Sequence, residues 1–156
     1  MIEKVHIRSD YNADLGNDVA ILKLAEDIKF SDRIKPVCLP DGKYRDYAGQ
    51  MATVSGWGTT KGYEPGQKSP EQPEQCTLKE TSVKILKPTE EQCNIATGGD
   101  SKTRFCAWAK GTGACQGDSG GPLTVVVGGK YVQIGVVSYS AGCGTSTLEG
   151  AGVYAR

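Results

Sequence analysis

The chain has almost no histidine and no excess charge of either sign. Its 156 residues include one histidine, His6, and 18 cationic and 18 anionic side chains. A balanced charge gives no field that would favour nucleic acid or an anionic membrane surface as a partner. No apolar run approaches the roughly 20 residues that cross a bilayer. We therefore expect neither nucleic acid nor a membrane as a partner.

The cysteines lack the spacing of a metal site. No two of them form a Cys-x-x-Cys pair, and a single histidine adds little to any zinc site. We expect no metal and no other cofactor, and we interpret the cysteines as disulfide partners, which predicts an oxidising compartment and a secreted protein. The six positions are Cys38, Cys76, Cys93, Cys106, Cys115 and Cys143.

The first residues do not have the pattern of a signal peptide. Met1–Val5 has neither the charged start nor the apolar core of such a segment. A secreted protein needs such a signal, so we expect the natural chain to begin upstream of Met1.

Short β-branched runs separated by glycine-rich turns predict an all-β fold. Val19–Leu24 is almost continuously apolar, so we expect that strand to be buried on both faces. One short helix is expected to carry Cys93, because Thr89-Glu-Glu-Gln92 has the spacing of a capping box. Many short strands with one helix indicate an antiparallel barrel or sandwich in one domain. The expected strands cover 3–8, 19–24, 52–58, 81–86, 105–108, 123–127, 132–138 and 152–154.

The segment Cys115-Gln-Gly-Asp-Ser-Gly-Gly-Pro122 brings a serine, small residues and a cysteine together. Gly117-x-Ser119-x-Gly121 matches the nucleophile elbow of α/β-hydrolases, in which a helix follows the serine and a histidine comes later in the chain. Here a strand-forming run follows Pro122, and no histidine follows Ser119. The elbow interpretation is therefore disfavoured.

Four motifs together resemble the trypsin/chymotrypsin-type serine proteases. Asn17-Asp-Val-Ala-Ile-Leu-Lys-Leu24, Gly56-Trp-Gly58, Gly117-Asp-Ser-Gly-Gly-Pro122 and Gly152-Val-Tyr154 occur in that family's order and span nearly the whole chain. The resemblance implies an antiparallel double β-barrel, represented here by the second barrel and the last part of the first. It also implies one protease domain over residues 1–156, incomplete at both ends, which hydrolyses peptide bonds in protein or peptide substrates.

The resemblance implies roles for specific residues. Ser119 matches the nucleophile that forms an acyl-enzyme, and Asp18 matches the carboxylate that orients a histidine. The backbone N–H groups of Gly117 and Ser119 match the oxyanion hole. Ser138 resembles the serine that hydrogen-bonds the aspartate.

The family's histidine motif is not found upstream of Asp18. His6 lies twelve positions before Asp18, within the strand that leads to it, so we reject it as the general base. Without a base we expect the chain alone to be inactive. The alternative is a catalytically dead protease-like module used for protein–protein binding.

The resemblance also predicts a neutral substrate pocket. Gly113, six residues before Ser119, matches the pocket floor and carries no charge, which favours apolar or aromatic substrate side chains. Glu149, on a nearby loop, is the residue most able to change this preference. The expected wall positions are Ser138, Ser140 and Gly152.

Asp118 and the cysteines have implied structural roles. Asp118 resembles the aspartate that pairs with an N-terminal amine released when a zymogen is cleaved. Cys38 resembles the cysteine that tethers an upstream propeptide or light chain. Cys76 either pairs with Cys38 or has its partner upstream. The implied disulfides are Cys93–Cys106 and Cys115–Cys143.

Overall fold

The computed structural model describes residues 1–12, 16–42, 47–71 and 75–156. Within these ranges it contains eight strands, one α-helix and a short 3-10 turn at Leu148–Gly150. The elements are β1 (Ile2–Ile7), β2 (Ala20–Leu24), β3 (Met51–Gly56), β4 (Lys79–Ile85), α1 (Glu91–Ala96), β5 (Arg104–Trp108), β6 (Pro122–Val127), β7 (Lys130–Tyr139) and β8 (Gly152–Ala155).

Six of these strands close into an antiparallel barrel. Their order around the barrel is β3-β4-β5-β8-β7-β6, and the pairing of β6 with β3 completes the ring. Alternate residues point inward, so Ala52 and Val54 of β3 and Leu123 and Val125 of β6 lie in one buried core. The predicted all-β antiparallel fold is confirmed.

The remaining two strands form a separate hairpin. β1 and β2 pair antiparallel, with Val5 opposite Leu22, and in the described part of the chain neither strand pairs with a third. The prediction that Val19–Leu24 is buried on both faces is wrong, since Ile21 is 66% exposed and Leu22 is 52% exposed. A two-stranded sheet without a covering layer has nothing on which to bury those side chains.

The single α-helix lies where the sequence predicts it, but it begins differently. Glu90 is the N-cap residue and makes no side-chain capping bond, so the capping box predicted at Thr89 is not formed. The Glu90 carboxylate instead accepts the backbone N–H of Lys87 at 3.0 Å. Cys93 ties the helix to β5 through a disulfide with Cys106. Among the described helical segments, none is long and apolar enough to span a membrane.

The barrel core predicts a large difference between two positions on β6. Replacing Leu123, which is fully buried, with alanine should lower the free energy of unfolding by about 2–5 kcal/mol, because it removes apolar contacts and leaves a cavity. Val126→Ala is the matched control, because Val126 is 60% exposed on the same strand, and it should cost roughly 0.5 kcal/mol or less. Urea unfolding measures both values, and equal losses would contradict this account of the core.

Candidate active site

Ser119 lies on a tight loop just before β6. The loop is anchored by the Cys115–Cys143 disulfide, and Gly117 and Gly120 adopt φ angles of 92° and 81°, which favour glycine. The N–H of Gly120 donates to the Val137 carbonyl at 2.9 Å, which attaches the loop to β7. This geometry leaves Ser119 exposed at the end of the barrel. A strand follows the serine, whereas the nucleophile elbow of an α/β-hydrolase requires a helix there.

Two backbone N–H groups of this loop make no hydrogen bond within the described residues. Across residues 75–156 and the other described ranges, the N–H groups of Gly117 and Ser119 have no backbone or side-chain acceptor, although that of Asp118 donates to Cys115 at 3.0 Å. Two N–H groups two positions apart, on a loop with small side chains, are able to donate together to a developing oxygen anion. The loop therefore carries an exposed hydroxyl and two backbone N–H groups that are not used within the described structure.

Asp18 and Ser138 form a direct hydrogen bond. The Ser138 hydroxyl donates to Asp18 Oδ2 at 2.6 Å. Asp18 lies two residues before β2 and Ser138 lies near the end of β7, so this bond joins the hairpin to the barrel. The exposed Asp18 carboxylate therefore lies at the end of the barrel where Ser119 also lies.

A small pocket of about 30 Å³ lies beside Ser119. Four of the residues that the sequence analysis selects line it together: Ser119, Ser138, Ser140 and Gly152. Tyr139, Val137 and Tyr154 also contribute to its wall. Gly113 and Glu149 do not line this pocket, and Glu149 is exposed on the 3-10 turn.

Gly113 lies instead on a neighbouring cleft of about 270 Å³. Asp118 also lines this cleft, and its carboxylate accepts the N–H groups of Gly58 and Cys115, both at 2.9 Å. A Cβ atom on Gly58 would lie 2.6 Å from the Asp118 carboxyl carbon, so glycine is required at that position. The Asp118 carboxylate, which is predicted to pair with an N-terminal amine, is thus held by two hydrogen bonds at the edge of an open cleft. Burial, with the negative charge of Asp118, raises the pKa of the Tyr154 hydroxyl behind it.

His6 does not line the pocket beside Ser119. It is on β1 opposite Ile21, and it lines a separate cavity with Arg8 and Lys102. The described residues hold no group of three or more histidine, cysteine or carboxylate side chains able to bind a metal.

The four cysteines that the resemblance pairs are joined as it implies. Cys93–Cys106 and Cys115–Cys143 are both disulfides. Cys38 and Cys76 are exposed thiols, so the alternative disulfide between them is not formed.

Sequence reasoning missed Arg104, which lies next to the site. This side chain is almost fully buried, and its Nη1 donates to the Tyr139 hydroxyl at 3.1 Å. An arginine at the start of a strand gives no signal of such a partner, because a single charge in a short strand is usually solvated.

Known proteins resemble the chain along its whole length. The family model described as Trypsin matches residues 1–156. Trypsin alpha of Drosophila melanogaster is 40% identical over 150 residues, which cover 93% of this chain and 52% of that protein. CLIP domain-containing serine protease B15 of Anopheles gambiae is 36% identical over 149 residues, which cover 90% of this chain and 38% of that protein.

A venom protease of Bombus pensylvanicus is 35% identical over 161 residues, which cover 99% of this chain and 61% of that protein. The chain thus spans between 38% and 61% of the length of these three relatives. Because the family model covers every residue and the fold is an antiparallel barrel with the serine loop at its end, the chain belongs to the trypsin-like serine protease family.

Proposed function

We propose that the protein containing this chain is a serine-type endopeptidase that acts on protein or peptide substrates. The observation that carries the proposal is the 2.6 Å hydrogen bond between Ser138 and Asp18, beside the pocket that Ser119 lines. It holds a carboxylate where it is able to orient an imidazole toward the serine hydroxyl. The relatives named above are called proteases, which supports the same activity.

The chemistry proceeds through an acyl-enzyme. The Ser119 hydroxyl loses its proton to a base while its oxygen attacks the carbonyl carbon of the peptide bond. The oxygen anion of the tetrahedral intermediate accepts hydrogen bonds from the N–H groups of Gly117 and Ser119. The leaving amine takes that proton from the base. Water then gives a proton to the base and attacks the acyl carbonyl carbon, and Ser119 regains its proton as the acyl group leaves.

The base in this proposal is a histidine outside the chain. His6 is unsuitable, since it lies on β1 and lines a different cavity from Ser119. Asp18 and Ser119 therefore act only when another segment supplies an imidazole between them. The chain alone is inactive under this proposal.

The proposed preference for apolar or aromatic substrate side chains rests on the neutral lining of the pocket and not on its size, which is only about 30 Å³. Ser140 and Gly152 form part of its wall, and none of the described residues that line it is charged. Gly113 adds no charge where it lies on the neighbouring cleft. Glu149 is exposed and does not reach the pocket in this arrangement.

Activation of the enzyme involves Asp118. A new N-terminal amine would enter the cleft of about 270 Å³ and pair with the carboxylate that Gly58 and Cys115 hold. The exposed thiol of Cys38 is available for a disulfide with an upstream propeptide or light chain. The two disulfides of the barrel fit secretion, since such bonds persist in oxidising compartments.

Substitutions in the full-length protein test the activity. Ser119→Ala should lower kcat about a million-fold, because it removes the nucleophile. Asp18→Asn should lower kcat about 10,000-fold, because it leaves the histidine in the wrong orientation and protonation form. Hydrolysis of peptide substrates with an apolar or aromatic residue before the cleaved bond measures both.

Exposed residues supply the matched controls for that experiment. Ser9→Ala and Asp27→Asn make the same chemical changes at exposed positions and should leave kcat unchanged. Hydrolysis that survives Ser119→Ala would sink the proposal. A full-length protein that folds but hydrolyses nothing would favour the binding module instead.

The Asp118 carboxylate should also stabilise the loop. Asp118→Asn replaces one acceptor oxygen with an NH₂ group that faces a backbone N–H, so we expect the free energy of unfolding to fall by about 1–3 kcal/mol. Asp27→Asn is the control and should change it by roughly 0.5 kcal/mol or less. Thermal or urea unfolding gives both values, and an unchanged stability of Asp118→Asn would show that the two N–H bonds are unimportant.

A further inference from the structure

A buried arginine lies between the segment that carries Asp18 and the end of β7 that carries Ser138. Arg104, the first residue of β5, is only 5% exposed, and its Nη1 donates to the Tyr139 hydroxyl at 3.1 Å. The Tyr139 hydroxyl donates in turn to the carbonyl oxygen of Ala96, at the end of α1, at 2.6 Å. A buried guanidinium is costly unless its donors find acceptors. The tyrosine hydroxyl is therefore fixed from two sides.

Asp100 supplies the opposite charge. Its Oδ2 lies 3.9 Å from Arg104 Nε, and its Oδ1 accepts the backbone N–H groups of Lys102 and Thr103 at 2.9 and 3.2 Å. The Thr103 hydroxyl also donates to this carboxylate. Burial opposes ionisation, but the hydrogen bonds from Thr103 and Lys102 and the Arg104 charge outweigh it and hold the pKa of Asp100 below its ordinary value. Asp100 is thus a fixed anion beside Arg104.

The backbone just before Asp18 rests on this ion pair. Gly16 is buried with a φ angle of 91°, two positions before Asp18. A Cβ atom there would lie 2.5 Å from Thr103 Oγ1, 3.2 Å from Asp100 Oδ2 and 3.3 Å from Arg104 Nε. The backbone before Asp18 therefore packs directly on the Asp100–Arg104 pair. Tyr139, the neighbour of Ser138, is held by the same guanidinium.

We propose that Arg104 is a positioning residue for the active site, which fixes the turn before Asp18 and the Tyr139 end of β7 relative to each other. It does so without touching substrate, and the inference rests on the proposed peptidase function for its kinetic consequences. Tyr139 is 42% exposed and lines the pocket with Ser119, so its position affects substrate binding. The turn before Asp18 affects the alignment of the Asp18–Ser138 pair, and hence the chemical step.

Three variants of the full-length protein separate these effects. Tyr139→Phe keeps the ring and removes the hydroxyl, so we expect KM to rise about two- to tenfold at an unchanged kcat. Arg104→Met has a similar length without donors, and it should raise KM by the same factor and lower kcat about tenfold. The double variant should have the KM of Tyr139→Phe alone, since that change already removes the bond from Arg104 together with the bond to Ala96. KM effects that multiply in the double variant would contradict the proposal.

Hydrogen exchange gives a readout that does not need catalysis. In Arg104→Met, amides of residues 16–19 and 138–140 should exchange about tenfold faster, while those of β3 and β6 keep their wild-type rates. Arg33→Met makes the same change at an exposed position and should alter neither segment. Unchanged exchange in both segments would overturn the proposal. Equal acceleration in every strand would also overturn it, because that result would mean general stabilisation of the barrel.

The kinetic and hydrogen-exchange measurements test the peptidase function and the role of Arg104 separately. A wild-type protein that hydrolyses no peptide counts against the peptidase function, whereas the exchange rates still decide whether Arg104 positions the two segments.

Discussion

The hydrogen bond from Ser138 to Asp18 is the interaction on which the site depends. The hairpin and the barrel share no strand pairing in the described ranges, so the carboxylate and the serine loop stand on two separate sheets. Asp18 is exposed, so burial contributes little to holding it in place. A bond of 2.6 Å to a charged acceptor, with the close approach of Gly16 to Thr103, fixes its position relative to Ser119.

The serine loop depends on a second carboxylate, that of Asp118. Two backbone N–H groups, those of Gly58 and Cys115, hold it, and neither Gly56 nor Gly58 leaves space for a side chain beside it. Gly56-Trp-Gly58 and Gly117-Asp-Ser-Gly-Gly-Pro122 are therefore two halves of one contact, although they are some 60 residues apart in the chain. The glycines of the first motif allow the acidic residue of the second to approach the backbone.

Local patterns in the sequence predict the strands well, because β-branched residues and the alternation of apolar and polar side chains are properties of each strand's own residues. They do not predict the environment of β2, since its burial depends on other strands and not on its own residues. Ser138, Ser140 and Gly152 lie together beside Ser119, whereas Gly113 lies on the adjoining cleft, and the role of all four in substrate binding stays a prediction. The disulfides follow from the resemblance and not from spacing.

Arg104 shows the limit of sequence reasoning most clearly. Its contacts are Asp100, which follows α1, Tyr139 of β7 and the backbone of Gly16 before β2, and no local pattern links the last two to β5. A charge at the start of a strand is ordinarily solvated, so only the folded chain identifies it as buried. Composition and periodicity leave long-range polar contacts of this kind undetermined.

Labelling by a fluorophosphonate probe, which reacts only with an activated serine, tests the account most directly. The full-length protein should be labelled at Ser119, and its Ser119→Ala variant should not. Under the proposed function the 156-residue chain alone should remain unlabelled, because the proposed base is a histidine outside it. Labelling of Ser119 in that isolated chain would contradict the account, since it would mean that His6 or another group within the chain serves as the base.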